Sequence, residues 1–120
     1  MTKVLRIVVA DDEPEIRDYF RRILPRFGHE VVGIAANGRE LVDLCQREEP
    51  DLVITDIMMS ELCGLEAVAE IRKTQRVPVI VVSSKDKPKN DSWGCVDEFL
   101  VKPIRSSDLQ AAIQRVLSAV

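Results

Sequence analysis

Short apolar runs rich in β-branched residues alternate with amphipathic stretches along the chain, and this alternation restricts the fold more than any other feature. The runs at 4–10, 52–55 and 79–83 read as buried strands, and weaker strands are predicted at 29–35 and 99–101. Nearly continuous apolar strands separated by helices are typical of a parallel sheet with helices on both faces. The sequence therefore predicts five βα units in succession.

Residues that favour helix ends mark where the helices begin. Pro14 suits the first turn of a helix over 14–24, Asn37 and Gly38 open a second helix, and Gly64 begins a third. The last helix carries apolar residues at the spacing of a buried helix face: Leu109, Ala112, Ile113, Val116, Leu117 and Val120. These boundaries leave no room for a repeat or a linker, so residues 1–120 are predicted to form one domain.

Composition and charge narrow the classes of function. The chain is 46% hydrophobic and 31% charged, which is typical of a soluble globular protein, and its net charge of −3 gives no sign of a nucleic-acid surface. No apolar run approaches the roughly 20 residues that cross a bilayer, and the N-terminus lacks the features of a signal peptide. Three cysteines without metal-type spacing indicate neither a disulfide framework nor a zinc site. We expect a cytoplasmic protein that binds neither nucleic acid nor membrane directly.

Polar side chains stand where four of the predicted strands end. Asp11 and Asp12 follow the first strand, Asp56 follows the third, Ser83 ends the fourth and Lys102 follows the fifth. The carboxyl ends of parallel strands meet at one edge of the sheet, where open α/β sheets bind ligands. Any one of these residues alone is more simply an ordinary loop residue. Four strand ends with complementary chemistry instead predict a site that holds a divalent cation and a phosphoryl group.

Charge and ligand preference suggest how such a site works. Three carboxylates a few ångströms apart repel one another, and a divalent cation with oxygen ligands, Mg²⁺ or Mn²⁺, relieves that repulsion. Asp56 is the candidate nucleophile, because carboxylates form aspartyl-phosphate intermediates. Lys102 would then neutralise charge on the transferred group, and the Ser83 hydroxyl would donate a hydrogen bond to it.

Bacterial response-regulator receiver domains resemble this chain in four segments that occur in the same order: VVADDEP, DLVITDIMM followed by Gly64, VIVVSS, and EFLVKP. The resemblance implies a flavodoxin-like (βα)5 fold, with a five-stranded parallel sheet of order 2-1-3-4-5 and helices on both faces. It further implies a phosphoacceptor domain of a two-component system, which changes state on phosphorylation and catalyses only its own phosphorylation and dephosphorylation.

The resemblance also implies roles for individual residues. Asp56 would be the phosphoacceptor, and the metal ligands would be Asp11, Asp12, Asp56 and the backbone carbonyl of Met58. Phosphate binding and switching would fall to a second set of residues: Ser83, Ser84, Phe99 and Lys102. The Lys102–Pro103 peptide is commonly cis in the family, and a cis bond would aim the lysine inward.

The resemblance likewise implies partners. A sensor histidine kinase or a histidine phosphotransfer protein would donate the phosphoryl group to Asp56. The new charge would then change the surface around strands 4 and 5 and helices 4 and 5, and so control a downstream protein or an output domain outside this chain. The expected assembly is a monomer or a weak, phosphorylation-dependent dimer.

Several residues depart from the family pattern. Ser60 replaces a usual proline after the phosphoacceptor, and the stretch 84–95 is about one turn shorter than the family's fourth helix and contains poor helix formers. We therefore predict a short or irregular fourth helix, with Trp93 filling the space that it leaves. His29 is expected at the surface, and Cys45 is expected in the core.

Two other functions compete with a phosphorylated switch. A phosphohydrolase of the haloacid-dehalogenase type would use similar chemistry, but such enzymes have a second Asp two residues after the nucleophile, where this chain has Met58. A receiver-fold interaction module that is never phosphorylated usually lacks an acid, the hydroxyl or the lysine. This chain has all of them, which favours the switch.

Overall fold

Strands alternate with helices in the computed structural model, which describes residues 3–84 and 96–118. In chain order the elements are β1 (Arg6–Ala10), α1 (Pro14–Arg26), β2 (Glu30–Ala35), α2 (Gly38–Glu48), β3 (Leu52–Thr55), α3 (Gly64–Arg72), β4 (Val79–Ser83), β5 (Glu98–Val101) and α4 (Ser106–Ser118). The predicted short or irregular fourth helix and the predicted role of Trp93 fall on residues 85–95, outside the described residues.

All five strands are parallel and form one sheet in the order β2-β1-β3-β4-β5. The chain moves from β1 outward to β2 and then returns to the other side of β1 to form β3, so the strand order reverses between β1 and β3. In an open α/β sheet, ligands bind at the carboxyl ends of the strands beside such a reversal. The observed order confirms the predicted flavodoxin-like fold class.

Alternate residues of each strand face opposite sides of the sheet, where they form two apolar layers. One layer packs β1 residues Ile7 and Val9 against α1 and α4; its largest helical members are Phe20, Leu24, Leu109 and Ile113. The other packs Val8 and Ala10 against α2 and α3, with Leu41, Val42, Cys45, Val68 and Ile71. Burial of each large side chain stabilises the fold by about 1.5–3 kcal/mol.

The helices pack their apolar faces against the sheet, and three of their details bear on the sequence predictions. Cys45 is fully buried, as predicted, and burial raises the pKa of its thiol to about 12. None of the four described helices is long and apolar enough to span a membrane.

α1 continues two residues beyond its predicted end, with Pro25 in its last turn. Proline lacks the N–H that would donate to the carbonyl of Arg21, but this position is exposed, so water can satisfy that carbonyl.

α2 begins at a point where the loop between β3 and α3 passes very close. Asn37 caps the helix, because its Oδ1 accepts a hydrogen bond from the Glu40 N–H at 2.9 Å. A Cβ added to the next residue, Gly38, would overlap the backbone carbonyl of Leu62. Glycine is therefore required here, and it allows the N-terminus of α2 to contact the loop that follows Asp56.

His29 lies in the interior, and the prediction that it is at the surface is wrong. Its side chain is only 6% exposed, and its Nδ1 accepts a hydrogen bond from the Leu5 N–H at 3.1 Å. This hydrogen bond connects the turn before β2 to the start of β1, 24 positions earlier in the sequence. Burial lowers the pKa of the imidazole, since the charged form loses hydration.

His29 is expected to make the free energy of unfolding fall at mildly acidic pH. Below about pH 6.5 the unfolded chain binds a proton at this histidine that the folded chain excludes, so the unfolded state gains stability as the pH falls. One such group contributes at most about 1.4 kcal/mol per pH unit. The test is urea unfolding of the wild-type chain and of His29→Asn between about pH 7.5 and about pH 5, a range that spans the ordinary histidine pKa of roughly 6.5.

His29→Asn is a matched variant, because the asparagine Oδ1 can take the place of Nδ1 as acceptor for the Leu5 N–H but does not titrate. The chain has one histidine, so no other imidazole contributes to the comparison. We expect a smaller loss of unfolding free energy on acidification in the variant. Identical pH dependence in the two proteins would contradict this role of His29.

Candidate functional site

The hydrogen-bonded ladders of the sheet extend to the residues predicted for the site. The Asp56 N–H donates to the carbonyl of Ala10 at 2.9 Å, which fixes the end of β3 beside the end of β1. The Lys102 N–H donates to the carbonyl of Ser83 at 2.7 Å, which fixes the end of β5 beside the end of β4. The strands therefore deliver these side chains to one edge of the sheet.

Lys102 lies at the centre of this edge and contacts three carboxylates. Its Nζ is 2.9 Å from Oδ2 of Asp11, 3.0 Å from Oε1 of Glu13 and 3.3 Å from Oδ2 of Asp56. The lysine side chain is 10% exposed, so solvent screens these contacts less than it screens a surface ion pair. Burial lowers the pKa of Lys102, but the contacts with Asp11 and Glu13 outweigh it and raise the pKa above its ordinary value.

Asp11 is the most deeply buried acid of the site, with 1% of its side chain exposed. Its Oδ1 accepts a hydrogen bond from the Glu13 N–H at 2.9 Å. Its Oδ2 forms an ion pair with Nζ of Lys102 at 2.9 Å. Burial raises the pKa of this carboxyl, and the nearby charge of Asp56 raises it further.

Asp56 is buried at the end of β3 and is held by its own loop. Its Oδ1 accepts a hydrogen bond from the Ile57 N–H at 2.7 Å, which leaves Oδ2 directed toward Lys102. The loop returns at once, because the Gly64 N–H donates to the carbonyl of Ile57 at 2.7 Å. A Cβ on Gly64 would overlap the carbonyl of Asp56, so only glycine permits this close return.

Four acids at this edge bring carboxylate oxygens within 4.8 Å of one another: Asp11, Asp12, Glu13 and Asp56. These are four oxygen-donor carboxylates, and three of them share the single ammonium of Lys102. The remaining negative charge fits a hard divalent cation such as Mg²⁺. The side chain of Met58 is 59% exposed, and its backbone carbonyl stays a predicted ligand.

The residues predicted for the switch lie on the neighbouring strands. Ser83 is buried at the end of β4 and pairs with Val101. Phe99 pairs with Val81 and is half-buried against the layer formed with α2 and α3. Since alternate strand residues share a face, Ser83 and Phe99 lie on the same side of the sheet.

The remaining predicted residues lie beside these two strands. Ser84 is exposed in the bend after β4. The Lys102–Pro103 peptide bond is cis, as the resemblance implies. Their predicted roles, phosphate binding for Ser84 and orientation of the lysine for Pro103, stay predictions.

Glu13 is a member of the site that the sequence analysis missed. It is the third acid of the DDEP run, and that run of acids was the available signal. Its contact with Lys102 joins residues 89 positions apart, and no local pattern reveals such a contact.

Comparison with known proteins agrees with the fold and identifies the family. The model of the family described as response regulator receiver domain matches residues 7–114. The chain is 34% identical to Protein PilH of Pseudomonas aeruginosa over 94% of its own length and 98% of PilH. It is 35% identical to the transcriptional regulatory protein PdtaR of Mycobacterium tuberculosis over 94% of its length and 57% of PdtaR. The chain spans about half the length of the first curated relatives it matches.

Among solved structures, the response regulator TrrA of Thermotoga maritima, in complex with Mg²⁺–BeF, is 34% identical to the chain. Its TM-score is 0.84, and the match covers 92% of this chain and 97% of TrrA. The signal receiver domain of the response regulator NarL of Mycobacterium tuberculosis has a TM-score of 0.89 at 25% identity, over 99% of this chain and all of that one.

Lys102→Met is expected to lower the free energy of unfolding by about 3 kcal/mol in the presence of a chelator, because it leaves the buried Asp11 and Asp56 carboxylates without a counter-charge. Added Mg²⁺ should stabilise this variant more than the wild-type chain, since the lysine no longer competes for the carboxylates. Urea unfolding with and without Mg²⁺ measures both effects.

Lys73→Met is the control for this experiment. Lys73 pairs with Glu70 within one turn of α3 and is 68% exposed, so its loss should change the unfolding free energy by no more than about 0.5 kcal/mol. Equal losses in the two variants would show that the lysine at the sheet edge does not balance the buried acids.

Proposed function

We propose that this chain, which belongs to the family of response regulator receiver domains, accepts a phosphoryl group on Asp56 in a Mg²⁺-dependent reaction. The family consists of signalling domains of two-component systems rather than of enzymes that turn over a substrate. The observation that carries the proposal is the convergence of one buried lysine with the acids of β1 and β3 at the edge of the sheet where the strand order reverses.

Asp11, Asp12 and Asp56 are the proposed ligands of the cation, together with the backbone carbonyl of Met58. Bound Mg²⁺ supplies positive charge that reduces the repulsion among the carboxylates and that of the incoming phosphoryl oxygens. The Mg²⁺–BeF complex of TrrA, which is 34% identical, supports this assignment. The excess of carboxylates over the single Lys102 ammonium is the feature of this chain that favours a bound cation most directly.

In the proposed reaction, a carboxylate oxygen of Asp56 attacks the phosphorus of the donor. A bond forms between that oxygen and phosphorus, the bond from phosphorus to the donor breaks, and its electron pair leaves with the donor group. Lys102, whose Nζ is 3.3 Å from Oδ2 of Asp56, would contact the phosphoryl oxygens, and the Ser83 hydroxyl and Ser84 would supply further contacts. No oxidation or reduction is involved.

The proposed response is a change of surface rather than turnover of a substrate. Phosphorylation replaces the single negative charge of the Asp56 carboxylate with a phosphoryl group of about two negative charges, so it adds about one unit of negative charge beside Lys102. Ser83 would move toward this charge, and Phe99, on the same face of the neighbouring strand, would turn toward the space it leaves. Pro103 would hold the lysine in place during the change. The surface around β4, β5 and the helices beside them would then bind its partner differently.

The proposed donor is a sensor histidine kinase or a histidine phosphotransfer protein, and the proposed recipient is a downstream protein or an output domain. Mycobacterial PdtaR, a transcriptional regulatory protein of which the chain covers 57%, is a relative with a larger chain, whereas PilH has nearly the same length. We propose that the chain acts in the cytoplasm, as a monomer or a weak dimer that forms on phosphorylation, without contacting nucleic acid itself.

The direct test is incubation with Mg²⁺ and a small acyl phosphate, followed by intact-mass measurement. The wild-type chain should acquire one alkali-labile phosphoryl adduct, because the product is an acyl phosphate on Asp56. Asp56→Asn should abolish the adduct, and a chelator should suppress it by removing the cation.

Asp43→Asn is the matched control, since Asp43 is an exposed acid of α2 outside the acidic cluster at the sheet edge. This variant should form the adduct as fast as the wild-type chain. An adduct that persists in Asp56→Asn would place the nucleophile at another residue, and an adduct that forms equally well with chelator would remove the role of Mg²⁺.

A further inference from the structure

Glu13 occupies the N-cap of α1, but its side chain makes no capping bond to the helix. N-cap residues usually accept a hydrogen bond from an N–H of the first turn, and Ser, Thr, Asp and Asn are preferred for this purpose. Glu13 instead reaches across the edge of the sheet, and its Oε1 lies 3.0 Å from Nζ of Lys102. The helix therefore gives up a local contact in favour of one between distant segments.

The ammonium of Lys102 is closer to Glu13 than to Asp56, at 3.0 Å against 3.3 Å. Glu13 is also the most accessible of the three carboxylates that contact the lysine, because 51% of its side chain is exposed whereas Asp11 and Asp56 are buried. It thus stands at the solvent side of the lysine, where an incoming phosphoryl group would enter.

We propose that Glu13 is a positioning residue that holds Lys102 at the entrance of the site and must release it before the lysine can contact the phosphoryl group. The inference rests on the proposed function of Asp56. The oxygens of the phosphoryl group and the carboxylate of Glu13 compete for the same ammonium, so the ion pair opposes phosphoryl acceptance. No covalent bond of Glu13 changes in this step.

The first test compares the rate of adduct formation in the wild-type chain and in Glu13→Gln, with a small acyl phosphate at saturating Mg²⁺. We expect Glu13→Gln to react up to about fivefold faster, which is the range that corresponds to loss of one partly exposed ion pair. Glu15→Gln is the matched control: Glu15 is exposed in the first turn of the same helix and lies outside the acidic cluster. It should react at the wild-type rate.

The second test asks whether Glu13 acts through Lys102. In a Lys102→Met background, Glu13→Gln should leave the rate unchanged, because the competing ammonium is gone. A rate increase that persists there, or that also appears in Glu15→Gln, would show a general effect of negative charge and would overturn the proposal. A higher Mg²⁺ concentration for half-maximal rate in Glu13→Gln would overturn it too, since Glu13 would then be acting as a metal ligand.

Urea unfolding without Mg²⁺ measures the Glu13–Lys102 coupling independently of phosphorylation, from the wild-type chain, Glu13→Gln, Lys102→Met and the double variant. A favourable coupling is expected, and its absence would overturn the proposal whatever the rates are. The two hypotheses fail differently. A wild-type chain that forms no adduct overturns the function of Asp56 and this inference with it. A wild-type chain that forms the adduct no more slowly than Glu13→Gln overturns the inference alone.

Discussion

Parallel pairing of the strands is the constraint on which the rest of this structure depends. Because every strand runs in the same direction, each one contributes the residue that follows it to the same edge of the sheet. The backbone bonds from Asp56 to Ala10 and from Lys102 to Ser83 extend this order beyond the strands and into the site. Groups far apart in the sequence thus meet without any long loop having to bring them together.

The charge balance at this edge is consistent with the switch proposed for the site. One ammonium contacts three carboxylates, of which Asp11 and Asp56 are buried, so the negative charge is only partly compensated. Transfer of charged groups out of water is costly unless they are paired, and one ammonium cannot fully compensate two buried carboxylates. A site with this deficit gains stability from an added cation, and its lysine has several competing partners at similar distances.

The alternation of strands and helices could be predicted from sequence because its determinants are local, whereas the strand order came from the resemblance to receiver domains. Apolar runs define the strands, and Gly64 marks a helix start because the backbone there leaves no space for a side chain. The edge that carries Lys102 follows from the strand order alone. Contacts between distant segments could not be predicted: His29 is buried because its Nδ1 accepts the Leu5 N–H, and Glu13 belongs to the site because it reaches that lysine. Local patterns do not record which distant group satisfies a polar atom.

The two glycine contacts around the loop after β3 have a consequence for engineering. Gly38 contacts the carbonyl of Leu62, and Gly64 contacts the carbonyl of Asp56, in both cases without space for a side chain. A mutant library intended to alter the loop while keeping the fold therefore has to leave both glycines unchanged. Met58 is exposed in the same loop, so a library can replace its side chain and change the environment of the Asp56 carboxylate while the backbone that holds Asp56 stays the same.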